Sequence, residues 1–176
     1  MQNIRTRAQR NRRNPNPPRP SYELQGERIV AMGIGETSGS SSVQILIPGQ
    51  PIAQPRPRIG RTRTSRPYVY NPGSRAKLFF ANRIKLELQE AGLLSPARNP
   101  APIYHTPVAI EVTFGVANMS KDLDNMLKFI LDVLEAAGVY TNDRLVQKIV
   151  AQKTHSLTGF TTLNVSGWNP AAGVLV

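Results

Sequence analysis

Pro107-Val108-Ala109-Ile110-Glu111-Val112-Thr113-Phe114-Gly115-Val116 alternates along its length. Shortly after it, Leu123-Asp124-Asn125-Met126-Leu127-Lys128-Phe129-Ile130-Leu131-Asp132-Val133-Leu134-Glu135-Ala136-Ala137-Gly138 repeats its apolar residues every three to four positions. The first pattern has the period of a strand and the second that of a helix. Leu123, Met126, Leu127, Ile130, Val133, Leu134 and Ala137 share one face at about 100° per residue, and Gly138 ends the helix. Downstream, Val146 to Thr154 and Phe160 to Val165 read as two further strands joined by Ser156-Leu157-Thr158-Gly159.

Upstream, Val43-Gln44-Ile45-Leu46-Ile47 reads as a strand stopped by Pro48-Gly49. Pro51, Pro55 and Pro57 forbid a helix and predict extended or edge structure up to Ile59. Tyr68-Val69-Tyr70 has the period of a short strand. Ser74 then offers a cap for a helix from Ala76 to Ala91, with Phe79, Phe80, Ile84 and Leu88 as its apolar stripe. Residues 95–106 carry three prolines and read as a loop. The sum is an α+β fold, a small mixed sheet with two main helices on one face. The expected organisation is a basic, largely disordered arm with a Gly/Ser-rich linker at 1–42, a folded domain at 43–166 and a tail at 167–176.

The chain has 176 residues, with 22 Lys+Arg against 11 Asp+Glu and a net charge of +11. That charge is unevenly divided: residues 1–88 carry +12 and residues 89–176 carry −1. From Arg56 to Lys85 there are nine basic residues and no acid, whereas five of the seven later acids fall between Asp122 and Asp143. The basic field predicts attraction to a polyanion, by concentrating phosphates and displacing their counterions. Arg56, Arg58, Arg61, Arg63 and Arg66, interrupted by prolines, suit a DNA-contacting loop or arm better than a helix surface, and Arg75 and Lys77 extend the same field. Residues 1–20, with six arginines, four prolines and no acid, cannot bury enough surface to order themselves; they read as a nucleic-acid arm or as a solvated tail.

Composition excludes several chemistries. There is no cysteine, hence no disulfide, no thiolate zinc site and no cysteine nucleophile. His105 and His155 are the only histidines, too few for a multi-histidine metal site. No apolar run approaches the ~18 residues of a membrane span. The N-terminal arginines precede no apolar segment, so they do not read as a secretory signal. The expected location is therefore inside the cell, the cytoplasm of a bacterium or of a virus- or phage-infected host.

The chemistry-bearing stretch is Lys121-Asp122-Leu123-Asp124-Asn125-Met126-Leu127-Lys128, completed by Asp132 and by Tyr140-Thr141-Asn142-Asp143. Carboxylates that share a pocket repel one another, and a hard divalent cation removes that cost. Mg²⁺ suits two or three carboxylate oxygens with waters and a substrate phosphate, and Mn²⁺ is the alternative. Asp122, Asp124 and Asp143 with Lys128 thus form a coherent set for phosphodiester hydrolysis. A plainer reading stands beside it. Asp122 could cap the helix, Asp124 could favour its dipole and pair with Lys128, and Asp143 could be an ordinary turn residue.

Asp122-Leu123-Asp124-Asn125, followed by Lys128, Asp132, Gly138 and Asp143, resembles the signature of the RusA-type Holliday junction resolvases. Ile47-Pro48-Gly49-Gln50-Pro51 with Arg56-Pro57-Arg58, and Tyr70-Asn71-Pro72, are similar to the earlier part of that family's pattern. The likeness runs from about Val43 to Val165. It implies a Mg²⁺-dependent endonuclease that resolves four-way DNA junctions as a homodimer, with Asp122, Asp124 and Asp143 as metal ligands and Lys128 as the catalytic or phosphate-contacting lysine. One departure is Asn142, where the family pattern has the first aspartate of a pair; an amide there can still offer an oxygen but carries no charge.

Branched DNA is accordingly the expected partner. A non-catalytic nucleic-acid-binding module and a nuclease for other branched DNA remain as alternatives. Tyr68 and Tyr70 are read as strand-packing residues that could stack on bases. Neither histidine enters the expected site, Glu111 reads as a solvated residue, and Trp168 reads as a cap on the core edge or a dimer contact.

Overall fold

In a computed structural model the described residues are 28–34, 42–61, 64, 66–169 and 171. Seven strands and two helices follow in the order β1 (Val30–Ile34), β2 (Ser42–Pro48), β3 (Arg58–Arg61), β4 (Pro67–Tyr70), α1 (Ser74–Glu90), β5 (Val108–Val116), α2 (Leu123–Ala137), β6 (Val146–His155) and β7 (Phe160–Gly167). A five-stranded sheet has the order β1-β2-β7-β5-β6, and β3 and β4 form a separate two-stranded ribbon. All pairings in the large sheet are antiparallel except β5 with β6. Parallel neighbours need a crossover, and α2 is that crossover. The expected α+β fold with a mixed sheet and two helices is what forms.

The core lies between the sheet and the helices. Val43, Ile45 and Ile47 of β2, Val108, Ile110, Val112, Phe114 and Val116 of β5, and Leu163 and Val165 of β7 are buried in one cluster with Ala81, Ile84 and Leu88 of α1 and Met126, Ile130, Val133 and Leu134 of α2. Phe80 joins the helices through an edge-to-face contact with Phe129, centroids 6.2 Å apart. The other sheet face carries exposed Met32, Leu46, Glu111 and Val150. Gly138 closes α2 in the left-handed region, at φ 84°.

Three local expectations differ. Residues 28–34 fall inside the segment read as arm and linker, yet β1 pairs with β2, Ile29 is buried, and Arg28 reaches Glu87 and Glu90 of α1. Residues 1–27, including the arm read as disordered, lie outside the described residues. Ser74 is the first helical residue rather than the cap; Gly73 holds the cap position and the Ser74 hydroxyl donates back to the Asn71 carbonyl, 2.9 Å. Phe79 is exposed, because at 100° per residue it points about 140° away from Ile84; Ala76 and Ala81 complete the buried stripe instead.

Gly115 is required by a close approach. Phe160, opposite it on β7, lies across it, and a β-carbon there would be 2.4 Å from the ring. Gly115→Ala is expected to cost about 1–3 kcal/mol by overpacking, read as a lowered thermal midpoint; an unchanged midpoint would show that the ring moves aside freely.

Candidate active site and its basic surround

β5 ends at Val116 and a six-residue loop, 117–122, carries the chain to α2. Asp122 occupies the N-cap position, but its side chain makes no capping hydrogen bond. Its Oδ2 instead accepts from the Asn125 side-chain amide, 3.0 Å. Asp124 follows in the first turn. It and Lys128, one turn further on, are exposed, and neither makes an ion pair with a described residue. The plainer reading of these residues as a cap and an i,i+4 pair is thus not what their side chains do. Two carboxylates stand open at a helix start, where the backbone N–H groups and the dipole favour negative charge.

The loop delivering Asp122 is gripped from three sides. Gln50 accepts from the Ala117 amide through Oε1, 3.0 Å, and donates through Nε2 to the Leu157 carbonyl, 3.0 Å. Lys153 of β6 donates to the Met119 and Lys121 carbonyls, 2.9 and 2.7 Å. Lys121 donates to the Pro51 carbonyl, 2.9 Å, and the Gln54 amide to the Asn125 carbonyl, 2.9 Å. Gly159 makes room for this, since a β-carbon there would be 2.7 Å from Gln50 Cα. Sequence reasoning missed Gln50, Lys121 and Lys153 as positioning residues. Gln50 lay inside a quoted motif, but nothing in strand periodicity marks Lys153. Hydrogen bonds from a charged donor contribute about 1.5–3 kcal/mol, so Lys153→Met is expected to raise amide hydrogen exchange at residues 118–122 by about tenfold or more. Unchanged exchange would show that the loop does not depend on Lys153.

Asp143 is elsewhere. It opens a short 3-10 turn, Asp143–Leu145, directly before β6, whose first residue, Val146, pairs with Val108 at the start of β5. Asp122 follows the other end of β5, and nine residues of strand span roughly 26 Å. The turn packs back on α2: the Tyr140 hydroxyl donates to the Leu131 carbonyl, 2.8 Å. Burial, then the negative charges of Glu135, Asp143 and Asp132, push the Tyr140 pKa up. Asp143 therefore belongs with the C-terminal half of α2. Asp124 precedes Asp132 by eight residues, about 12 Å of helix rise. One ion, about 2.0–2.1 Å from each ligand oxygen, cannot span that gap. Among the described residues no three His, Asp or Glu side chains are close enough together to hold an ion. Asp122 and Asp124 share the start of α2, Lys128 lies one helical turn beyond Asp124, and Asp143 does not join them within one chain. Asn142 uses its side-chain oxygen locally, accepting from the Arg144 amide, 3.0 Å, which caps the turn.

Arg56, Arg58, Arg61, Arg66 and Arg75 are all exposed, while Arg63 lies outside the described residues. Lys77 is half-buried, with its ammonium 3.6 Å from Asp132, so part of its charge is met within the fold. His105 and His155 are exposed. Trp168 donates its amide to the Pro107 carbonyl, 2.7 Å, and lies under the Lys148 ammonium, 5.0 Å from the ring centre.

A basic α+β domain that offers two carboxylates at a helix start, beside arginine-bearing chain, has the makings of a nuclease. Residues 48–166 match the family model described as Endodeoxyribonuclease RusA. The match spans more than half of the chain, which therefore belongs to the RusA endodeoxyribonuclease family. No curated protein matches the chain. No helix among the described residues is long and apolar enough to cross a membrane.

Proposed function

We propose that the chain is a Mg²⁺-dependent, structure-selective endonuclease that resolves four-way DNA junctions by paired phosphodiester hydrolysis, acting as a homodimer inside the cell. The observation that carries this reading is the pair Asp122 and Asp124, two carboxylates at the start of α2 that make no capping bond and pair with no cation among the described residues, where the loop entering the helix is hydrogen-bonded by Gln50, Lys121 and Lys153. One or two carboxylates with waters and a phosphate are the donor set that Mg²⁺ takes, and Mn²⁺ suits the same oxygens. When bound, such an ion lowers the pKa of water and neutralises charge on the phosphate.

The chain's own residues do the rest. Asp122 and Asp124 hold the site's negative charge in place. The start of α2 and Lys128 favour the phosphate oxygens as charge develops on them. Arg56, Arg58, Arg61, Arg63, Arg66, Arg75 and, in part, Lys77 hold the DNA backbone without reading bases. Asp143 enters through the second copy. In an isologous dimer each patch faces its equivalent, so the turn of one chain can reach the helix start of the other, and vice versa. In this reading residues 43–166 form the endonuclease domain, β1 joins its sheet from the preceding segment, and the rest of 1–42 and 167–176 are arm and tail.

The test is cleavage of a synthetic four-way junction, compared with a fork and a linear duplex, in Mg²⁺ and in chelator. Paired nicks confined to the junction and to Mg²⁺ are expected. Binding without metal-dependent nicking would overturn the catalytic reading in favour of a binding module, and equal cleavage of the fork would widen the target to other branched DNA.

A further inference from the structure

The β3–β4 ribbon stands apart from the rest of the fold: it belongs to neither the five-stranded sheet nor the packed helices. Its register pairs Arg58 with Tyr70, Ile59 with Val69, Gly60 with Tyr68 and Arg61 with Pro67. Opposed residues share a face and the period is two, so the ribbon has two unlike sides. On one, Tyr68 lies over Gly60, where a β-carbon would be 2.7 Å from the ring, and Tyr70 follows at 5.8 Å between centroids. On the other, Ile59 and Val69 stand side by side, 77% and 72% exposed. A paired aliphatic patch at that exposure, on strands of four residues each, contributes almost nothing to the fold that carries it.

The surroundings say what the patch meets. From Arg56 up to Glu87 the sequence has no acid, and Arg58, Arg61 and Arg66 border the pair on the ribbon itself or at its edge. An apolar patch bordered by these cations matches a ligand that has anionic strands outside and flat apolar faces within. Aliphatic wedges enter between base steps in this manner, at a cost of a few kcal/mol per unstacked step. The cost is least where stacking is already interrupted, as at a branch point.

The ribbon's root is fixed against the candidate site. The Gln54 amide donates to the Asn125 carbonyl, 2.9 Å, and Pro55 abuts Gly73 at the start of α1. Ile59 is five residues beyond Gln54, at most about 17 Å of extended chain, or roughly five base-pair rises of 3.4 Å. What the patch holds is thereby placed at a set distance from what Asp122 and Asp124 face.

We propose that the Ile59–Val69 face of the ribbon is a wedge that enters the branch of the DNA and holds its flanking bases unstacked, within about five base pairs of the phosphate that is cut. This rests on the junction-cleaving reading above and adds to it the element that tells a branch from a duplex.

The experiment uses the full chain and a four-way junction with 2-aminopurine beside the branch, in chelator for binding and in Mg²⁺ for cleavage. Wild type is expected to raise the fluorescence on binding. Ile59→Ser with Val69→Ser is expected to abolish that rise and slow junction cleavage by about tenfold or more, with the thermal midpoint unchanged because both residues are exposed. Ile59→Leu with Val69→Ile is expected to keep both signals. A junction bound by wild type with no rise, or a double-serine variant with the full rise and full cleavage, overturns the wedge. A double-serine variant that loses self-association in sedimentation also overturns it, assigning the patch to contact between copies. Wild type that binds and unstacks the junction but never cuts it overturns the nuclease reading and upholds the wedge; wild type that does not bind the junction overturns both.

Discussion

Asp122→Asn is expected to lower metal-dependent junction cleavage by about a thousandfold or more, while junction binding in chelator stays equal or tightens. The size follows from the several kcal/mol that an ion supplies to phosphodiester hydrolysis, at about 1.4 kcal/mol per factor of ten. The sign of the binding effect follows from charge, since one negative group fewer stands near the phosphate. The substitution is clean because Asp122 is exposed, makes no capping bond and touches only Asn125 through its carboxylate. Losing a cap costs about 0.5–2 kcal/mol; here that bond is absent, so the thermal midpoint should hardly move. Cleavage at the wild-type rate by this variant would remove Asp122 from the chemistry.

Mixing two dead variants is expected to restore activity. Asp122→Asn alone and Asp143→Asn alone each lose cleavage. After the two are unfolded together and refolded, half of the dimers pair one of each. If each site takes Asp122 and Asp124 from one chain and Asp143 from the other, one of the two sites in such a dimer is intact and the other carries both changes. About a quarter of wild-type sites should then be recovered, yielding single nicks in place of paired cuts. If all three aspartates act within one chain, no combination contains an intact site and the mixture stays as dead as its components. The prediction rests on the separation of Asp143 from the start of α2: it belongs with the C-terminal half of that helix, where Asp132 already lies eight residues and about 12 Å beyond Asp124. An inert mixture of folded, dimeric chains would show that Asp143 reaches Asp124 by rearrangement within its own subunit, or not at all.

Local pattern carried the elements whose burial is one-sided and continuous. Helix α2 has the bounds its apolar period indicates, Leu123 to Ala137, because every member of the stripe lies in or against the one core cluster. β5 was legible for the same reason. β1 was not: Val30-Ala31-Met32-Gly33-Ile34 has little alternation, and it is a strand because β2 offers an edge to it. The extended or edge structure that the prolines indicate is an arm up to Pro57 and a strand at Arg58–Arg61, whose partner Pro67–Tyr70 no local signal names.

The site divides in a similar way. Asp124 and Lys128 are neighbours by helical spacing, and Asp122 stands at the N-cap just before them, both of which can be read from residue numbers. The distance of Asp143 depends on the parallel pairing of β5 with β6, which sends α2 the length of the sheet before the chain turns. The hold of Lys153 and Gln50 on the loop depends on carbonyls that meet only after the sheet has formed.

That parallel pair has one further consequence. Because β6 must start where β5 starts, the acids on either side of the crossover are kept apart in any single copy. In the proposed reading a newly made chain therefore carries its catalytic parts unassembled. If the ion site needs two chains, activity at low concentration rises with the square of the amount present, and a lone copy bound to DNA by its arginines leaves it uncut. The strand direction then serves as a safety catch on a molecule whose charge draws it to every duplex in reach.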